Sequence, residues 1–203
     1  MKILAIGAHP DDLEPQIGGT LAKLVSQGGK VLAIAATSTS TGASSSLVRD
    51  AEGRAAAKCL GASYLSLGLS PNEFNYSREF IEIVDQLFIS EKPDLVFCVN
   101  EKDSHHEHQA IAKCVRSASR KNCFSLVSLN QAFPGGVANF SYNYWSDISA
   151  FHESKVRAVM CYESQVAKYG EAWLEAIIAR DKQWGFNIGC SFAEVANIDK
   201  WIS

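Results

Sequence analysis

Residues 3–20, ILAIGAHPDDLEPQIGGT, decide the fold of this chain. The apolar run at residues 3–6 predicts a strand that is buried on both faces, as strands of parallel sheets are. His9, Asp11 and Asp12 follow that strand directly, and a helix is expected next, with Asp12 as its N-cap. Ligands of open α/β sheets bind beyond the carboxyl ends of the strands. One imidazole and two carboxylates at that place are costly to desolvate without a partner, and a divalent metal is the simplest one.

The order of apolar segments along the chain predicts the fold class. Strand patterns near residues 30–36, 64–67 and 95–99 alternate with helical patterns near residues 13–27, 47–60 and 77–90. This alternation predicts an α/β fold with a doubly wound, mostly parallel sheet flanked by helices and connected by right-handed crossovers. No repeat or linker interrupts the pattern, so we expect a single domain over residues 1–203.

Composition narrows the classes of partner. The formal net charge is −3, so the chain has no basic surface that would favour nucleic acid. No stretch approaches the roughly 20 apolar residues of a membrane span. The sequence starts with no basic-then-apolar signal segment, and its six cysteines form no C-x-x-C pair, so we expect reduced core thiols and a cytoplasmic location. The sequence neither predicts nor excludes a homo-oligomer.

A second polar cluster follows the most apolar strand pattern, at residues 100–108. It contains three histidines within four positions, His105, His106 and His108, beside the acidic residues Asp103 and Glu107. Because the carboxyl ends of parallel strands lie at one edge of a sheet, this cluster should face the first one. Three histidines beside acids, opposite a His/Asp/Asp cluster, predict a metal site.

Several motifs together resemble the PIG-L/LmbE-like family of zinc-dependent N-deacetylases. In chain order they are Ala8-His9-Pro10-Asp11-Asp12, Gly18-Gly19-Thr20, Arg49-x-x-Glu52, His105-x-x-His108, Asp147-Ile148, Lys155 and Tyr162-Glu163-Ser164-Gln165. The resemblance covers most of the chain. It implies a Rossmann-like α/β fold and hydrolysis of an N-acetyl group from a sugar-like substrate.

The resemblance also implies roles for individual residues. The ligands of zinc, or of another divalent metal, would be His9, Asp12 and His108. Asp11 would be the general base, and His105 would steady the oxyanion or protonate the leaving amine. Arg49 would contact the substrate, although a solvated first helical turn explains this residue equally well.

Two positions depart from the family pattern. Between its histidines the family usually has proline and aspartate, where this chain has His106 and Glu107. Glu107 keeps a carboxylate that can orient an imidazole through its second nitrogen. A glutamate often follows the paired aspartates, whereas Leu13 stands here with Glu14 next, as in the bacillithiol-pathway branch. Neither change removes an implied ligand or the implied base.

The chemistry of this residue set is consistent with hydrolysis. Two imidazoles and one carboxylate leave a zinc ion an open position for water, as catalytic sites do. A second carboxylate can then accept a proton, and the leaving amine needs a general acid. Because His105 lies one helical turn from His108, it should share that face, whereas His106 should point elsewhere. Asp103 or Glu107 is expected to keep His105 charged.

The remaining features are less specific. The Ser/Thr-rich residues 37–46 form a candidate substrate loop, and the aromatic residues 130–146 suit either a sugar site or a loop that packs over the core. His152 stands alone and is expected to be structural.

Two alternatives to deacetylation of an amino sugar remain. One is hydrolysis of another acylated small molecule, such as an antibiotic or a thiol precursor, and the other is a non-catalytic sugar- or nucleotide-binding protein. The lack of a G-x-G-x-x-G arrangement disfavours dinucleotide binding.

The metal site leads to a first prediction. The purified protein should carry about one divalent ion per chain, and His9→Ala, Asp12→Ala and His108→Ala should each lose most of it, as measured by elemental analysis. His152→Ala is the control and should keep its metal. Full retention of metal by the His108 variant would contradict the predicted ligand set.

Overall fold

Seven strands form one sheet in the computed structural model, which describes residues 1–38, 45–71, 74–130 and 140–202. They are β1 (Lys2–Gly7), β2 (Lys30–Thr37), β3 (Ser63–Leu69), β4 (Leu95–Cys98), β5 (Ser125–Leu129), β6 (Tyr144–Asp147) and β7 (Ala193–Lys200). Their order is β3-β2-β1-β4-β5-β7-β6. Strands β1 to β5 are parallel, and β7 pairs antiparallel with both β5 and β6. The predicted α/β class with a mostly parallel sheet is confirmed.

Helices cover both faces of this sheet. They are α1 (Glu14–Ser26), α2 (Ser46–Cys59), α3 (Arg78–Glu91), α4 (His106–Ala118), α5 (His152–Met160), α6 (Glu163–Tyr169) and α7 (Glu171–Ile188), with a 3₁₀ turn at Ser119–Lys121. Within the described ranges, none of them is long and apolar enough to cross a bilayer.

The two faces of the sheet contribute to two separate hydrophobic cores. In β1, Leu4 and Ile6 pack in the core that also contains residues of α3 and α4. Their neighbours Ile3 and Ala5 pack in the core that contains residues of α1, α2 and α5. Successive side chains of a strand point to opposite faces, so a strand covered on both sides must be apolar throughout. This explains why the central strands read as continuous apolar runs.

The start of α1 differs from the prediction. Leu13, not Asp12, occupies the N-cap position, and it makes no side-chain capping bond. Asp12 Oδ2 instead accepts hydrogen bonds from the backbone N–H groups of Ala8 and His9, at 2.7 and 2.8 Å. The carboxylate thus turns back into the loop after β1, where two amides converge, and its other oxygen remains directed at the histidines.

The glycine pair in α1 permits close packing against the C-terminal part of the chain. A Cβ atom at Gly18 would lie 3.2 Å from Lys155 Cγ, and one at Gly19 would lie 2.8 Å from Ile148 Cβ. The two glycines therefore allow a close approach of α1 to α5 and to the segment before it.

The C-terminal third holds most of the structure that the sequence did not predict. Helices α5, α6 and α7 follow one another closely there, separated only by Cys161 and Tyr162 and by Gly170. Part of the expected aromatic loop forms β6, and residues 131–139 lie outside the described residues. The cysteines are less buried than expected, since only Cys98 and Cys114 lie in the core.

A buried ionic cluster joins α5, α7 and β7. Lys155 Nζ lies 2.7 Å from Asp181 Oδ2 and 2.8 Å from Glu194 Oε1, and all three side chains are inaccessible to solvent or nearly so. Glu194 also accepts hydrogen bonds from the backbone N–H groups of Gly19 and Thr20. Because the helix backbone is non-helical at Ile17, these N–H groups need an acceptor, and Glu194 supplies it.

This cluster leads to a prediction about stability. Lys155→Met leaves two buried carboxylates without their cation, and such a change costs about 3–5 kcal/mol of unfolding free energy. Urea titration of the wild-type protein and the variant measures the difference. Lys58→Met, at an exposed position of α2, is the control and should change stability by no more than about 0.5 kcal/mol. Equal stability of the Lys155 variant would contradict this account of the cluster.

Candidate metal centre and active site

The two polar clusters meet because β1 and β4 are neighbours in the sheet. Ile6 pairs with Cys98 at the ends of these parallel strands, so the loops that follow them lie side by side. The chain leaves β1 towards β2 on one side, while β4 lies on the other. Such a reversal of strand order opens a crevice at the carboxyl edge of the sheet, and the histidines line this crevice.

Three side chains place one donor atom each around a common point. His9 Nδ1 lies 3.6 Å from Asp12 Oδ1, and His108 Nε2 lies 3.1 Å from that oxygen and 3.3 Å from His9 Nδ1. Donors about 2.0–2.1 Å from a tetrahedral zinc ion lie about 3.3 Å from one another. The three residues are buried, and their donor atoms are close enough to hold one metal ion. Two imidazoles favour zinc or another transition metal over magnesium or calcium.

A carboxylate contacts the second ring nitrogen of His9 and of His108 and orients each imidazole. Glu107 Oε2 lies 2.6 Å from His9 Nε2, and Asp103 Oδ2 lies 2.9 Å from His108 Nδ1. Each ring therefore uses one nitrogen to hold its orientation and directs the other at the common point. Carboxylate partners of this kind fix the tautomer of a ligating histidine and raise its basicity.

A second group of donors, from His9, His105 and Glu107, is less suited to a metal ion. Two of its donors, His9 Nε2 and Glu107 Oε2, lie 2.6 Å apart. That separation suits a charge-assisted hydrogen bond and is shorter than the roughly 3.3 Å between two donors of one zinc ion. The geometry thus favours the His9, Asp12 and His108 group.

The protein without metal holds positive charge at this point. Burial lowers the pKa of His9, but the carboxylates of Asp12 and Glu107 outweigh it and raise the value to about 9. The pKa of His108 behaves in the same way and reaches about 10, because Asp12 and Asp103 outweigh burial. Burial would raise the pKa of Asp12, but the two histidines keep it well below its ordinary value.

His105 lies against the two histidines, although not for the predicted reason. Its ring centroid is 4.9 Å from that of His9 and 4.8 Å from that of His108. The backbone of His105 is extended, at φ −84° and ψ 121°, and the helix begins only at His106. His105 is the N-cap, so the turn before the helix, not helical spacing, directs its ring inward. The His106 side chain is 79% exposed.

The expectation that a carboxylate keeps His105 charged is wrong. The Asp103 carboxylate contacts His108 Nδ1 and the His105 backbone N–H, and the Glu107 carboxylate contacts His9. Burial and the positive charges of His108 and His9 lower the pKa of His105. The His105 Nδ1 atom accepts a hydrogen bond from the Glu107 N–H at 3.3 Å. A neutral ring therefore carries its proton on Nε2.

Asp11 lies outside the group of three donors and contacts α2 through its carboxylate. Its Oδ1 accepts a hydrogen bond from Arg49 Nη2, and its side chain is 18% exposed. Arg49 is buried, and its Nη1 atom lies 3.3 Å from Glu52 Oε2 and 3.4 Å from Ser164 Oγ. The two adjacent aspartates thus face different partners. The substrate contact of Arg49 stays a prediction.

Other predicted features contribute less to the described site. Of the candidate substrate loop, residues 39–44 lie outside the described residues. His152 stacks on Phe192 with ring centroids 3.6 Å apart, and its Nε2 lies 3.6 Å from Asp181 Oδ2. It belongs to neither group of metal donors.

Three residues near the site were not assigned these roles from the sequence. Asp103 orients His108, Tyr162 donates a hydrogen bond to the carbonyl oxygen of Pro10, and Ser164 contacts both Glu52 and Arg49. For Asp103 a signal existed, because it lies five residues before His108 at the same loop. The Tyr162 and Ser164 contacts cross more than 100 residues, and nothing in the spacing of the sequence indicates them.

The raised histidine pKa values lead to a prediction about metal affinity. Between pH 6 and pH 8 both imidazoles are protonated in the metal-free protein, so zinc must displace two protons. The apparent affinity should therefore rise with pH, by up to about 10² per pH unit. Competition with a chromophoric chelator at pH 6, 7 and 8 measures it. His106→Ala should show the same slope, whereas an affinity independent of pH would contradict the assigned protonation states.

Comparison with known proteins identifies the relatives of this chain. The family model described as PIG-L, GlcNAc-PI de-N-acetylase, matches residues 4–119. The diacetylchitobiose deacetylase of Thermococcus kodakarensis is 28% identical over 186 residues, which cover 81% of this chain and 70% of that protein. The conserved protein TT1542 of Thermus thermophilus superposes with a TM-score of 0.87 at 25% identity, covering 99% of this chain and 95% of that one.

The fold alone does not define the reaction. The 4-carboxy-2-hydroxymuconate hydratase GalB of Pseudomonas putida superposes with a TM-score of 0.82 at 17% identity, over 100% of this chain and 97% of that one. The family match is more specific, since it spans more than half of the 203 residues and contains both polar clusters. The chain belongs to the PIG-L family of deacetylases.

Proposed function

We propose that this protein is a zinc-dependent hydrolase that removes the acetyl group from an N-acetylated amino sugar, or from a glycoside or conjugate of one, and releases acetate and a free amine. The observation that carries the proposal is the set of donors on His9, Asp12 and His108, spaced as zinc ligands are, beside a further carboxylate that does not belong to the set. Such a carboxylate can serve as a general base, which a protein that only binds sugar does not need.

The three donors would hold zinc, which when bound would polarise the amide carbonyl and activate the attacking water. Asp12 would bind through Oδ1 alone, because its Oδ2 is engaged by two backbone N–H groups. Glu107 and Asp103 would keep the imidazoles in the ligating orientation.

Asp11 would act as the general base. It is adjacent to Asp12 in the chain but turned towards Arg49, so it keeps its carboxylate outside the donor set. It would accept a proton from the attacking water as the carbon–oxygen bond forms. It would then deliver that proton to the nitrogen as the carbon–nitrogen bond breaks, which balances the hydrolysis.

His105 would steady the oxygen of the carbonyl group. Its Nδ1 accepts a backbone hydrogen bond, so a neutral ring presents an Nε2–H donor. Developing negative charge on the carbonyl oxygen is stabilised most by donors already in place. Of the two roles implied for His105, this one fits the lowered pKa, since a neutral imidazole cannot protonate the amine.

The alternatives are supported less well. Similarity to a diacetylchitobiose deacetylase favours a sugar substrate over an acylated antibiotic or a thiol precursor. A nucleotide-binding role is disfavoured because Glu194, a residue of the chain itself, already occupies the N–H groups of Gly19 and Thr20 in α1. An anion such as a phosphate would have to displace this buried carboxylate.

The test is a mass-spectrometric assay for replacement of acetyl by hydrogen, with zinc-loaded protein. The panel contains N-acetylglucosamine, N,N′-diacetylchitobiose, N-acetylglucosaminides with different aglycones, and N-acetylated amino acids as non-sugar amides. We expect turnover of one or more sugars and none of the amino acids. Turnover of the amino acids alone would contradict the substrate class, and no turnover by zinc-loaded protein would contradict the activity.

Variants separate the roles within the site. Asp11→Asn should keep its zinc and lower kcat by roughly 10² or more. His105→Ala should also lower kcat by about 10²–10³, as loss of an oxyanion donor does, while zinc stays bound. The exposed neighbour His106 provides the matched control, and His106→Ala should stay close to wild type. An inactive His106 variant and an active His105 variant would show that the reaction needs His106 and not His105.

A further inference from the structure

We propose that Arg49, Glu52 and Ser164 form a positioning unit that holds Asp11 in the orientation needed for proton transfer. The three residues come from α2 and from the first turn of α6, and Glu52 belongs to neither group of metal donors. The inference rests on the proposed role of Asp11 as the base, and it assigns a purpose to two motifs, Arg49-x-x-Glu52 and Tyr162-Glu163-Ser164-Gln165.

Arg49 is the direct contact to Asp11. Its guanidinium group is planar, so the Nη2 atom on Asp11 and the Nη1 atom on Glu52 and Ser164 are fixed relative to each other. Only 3% of Arg49 is exposed. Little of its surface is left for a substrate, and its hydrogen bonds lie within the protein.

Glu52 and Ser164 fix the far side of that guanidinium group. The backbone N–H of Ser164 donates to Glu52 Oε1 and its hydroxyl donates to Oε2, each at 2.7 Å. The same hydroxyl oxygen accepts from Arg49 Nη1 and from Gln165 Nε2, at 3.4 and 3.1 Å. A hydroxyl has one donor and two acceptor positions, so all of them are used. Neither residue can turn without breaking another bond of the unit.

Tyr162 connects the same turn to the backbone of the catalytic loop. Its hydroxyl donates to the carbonyl oxygen of Pro10, the residue before Asp11, and its ring centroid lies 5.5 Å from Arg49 Cζ. Tyr162 therefore supports Asp11 in two ways. Its hydroxyl binds the main chain of the preceding residue, and its ring packs against the Arg49 side chain that contacts the Asp11 carboxylate.

The position of the Arg49 cation depends on both of its carboxylate partners. The Arg49 cation lies between the carboxylates of Asp11 and Glu52 in a place that is largely closed to water. A buried cation with two anionic partners stays where both attract it. Without Glu52, only Asp11 would attract Arg49, and the guanidinium group and the base would be free to move together.

The test compares Glu52→Gln and Ser164→Ala with the wild-type enzyme on the best substrate of the sugar panel. Misplacement of a reacting group by about 1 Å can cost on the order of 10² in rate, so we expect kcat to fall by about 10-fold to 10²-fold. KM and zinc content should not change. Glu163→Gln, at the exposed residue between Tyr162 and Ser164, and Arg54→Ala, an exposed arginine of α2, are the matched controls and should remain active.

Two further measurements distinguish positioning from a general structural effect. In the Asp11→Asn background, Ser164→Ala should have no additional effect on kcat, because the group that it positions is already gone. Arg49→Ala should be partly rescued by guanidinium chloride at low millimolar concentration, whereas sodium chloride at equal ionic strength should not help.

Crystal structures give a readout that does not depend on turnover. The Asp11 carboxylate should be displaced in the Glu52→Gln protein and unmoved in the Glu163→Gln protein. An unmoved Asp11, additive effects in the double variant, or a raised KM with unchanged kcat would each overturn the proposal. A wild-type protein that hydrolyses no member of the panel would overturn the proposed function instead, and the crystal structures would still test whether Asp11 is positioned.

Discussion

Burial of charge at the carboxyl edge of the sheet is the constraint on which the rest of the site depends. His9, Asp12, Asp103, Glu107 and His108 are all buried there. An ionised group in such a place must be paired, hydrogen-bonded or bound to a metal. In the protein without metal the two histidines are the cations, and the carboxylates around them raise their pKa values to about 9 and 10. A zinc ion would replace the protons of the two histidines as the source of positive charge. The same arrangement of side chains would therefore suit the metal-free and the metal-bound protein.

The two adjacent aspartates of one loop have different partners. Asp12 has one oxygen on the amides of Ala8 and His9, so only the other faces the histidines. Asp11 faces Arg49 from α2. Glu14 meets the same constraint in a third way, since burial raises its pKa to about 8 and so favours the neutral carboxyl group. Environment, not residue type, decides which partner each of these carboxylates has and how readily it ionises.

A second buried ionic cluster lies outside the site and holds the C-terminal elements to α1. Lys155 joins Asp181 and Glu194, and Glu194 binds the backbone of α1 just after its irregular residue Ile17. Helix α1 begins two residues after Asp12, so its placement also places the loop that carries the metal donors. The antiparallel strand β7 is therefore connected to the site, although none of its residues belongs to the donor groups of the described chain.

The sequence by itself determined the local features of this protein. The apolar strand followed by His9, Asp11 and Asp12, and the histidine cluster after β4, predicted the parallel sheet and the edge at which the site lies, because side-chain period and strand direction are local properties. Tertiary structure decided which partner each polar group has. Glu107 orients His9 across 98 positions, and Ser164 holds Glu52 across 112. Such pairings depend on how the helices pack over the sheet, and so do the antiparallel strands β6 and β7. No spacing within a segment encodes them, since a buried charge takes whichever opposite group the completed packing brings within reach.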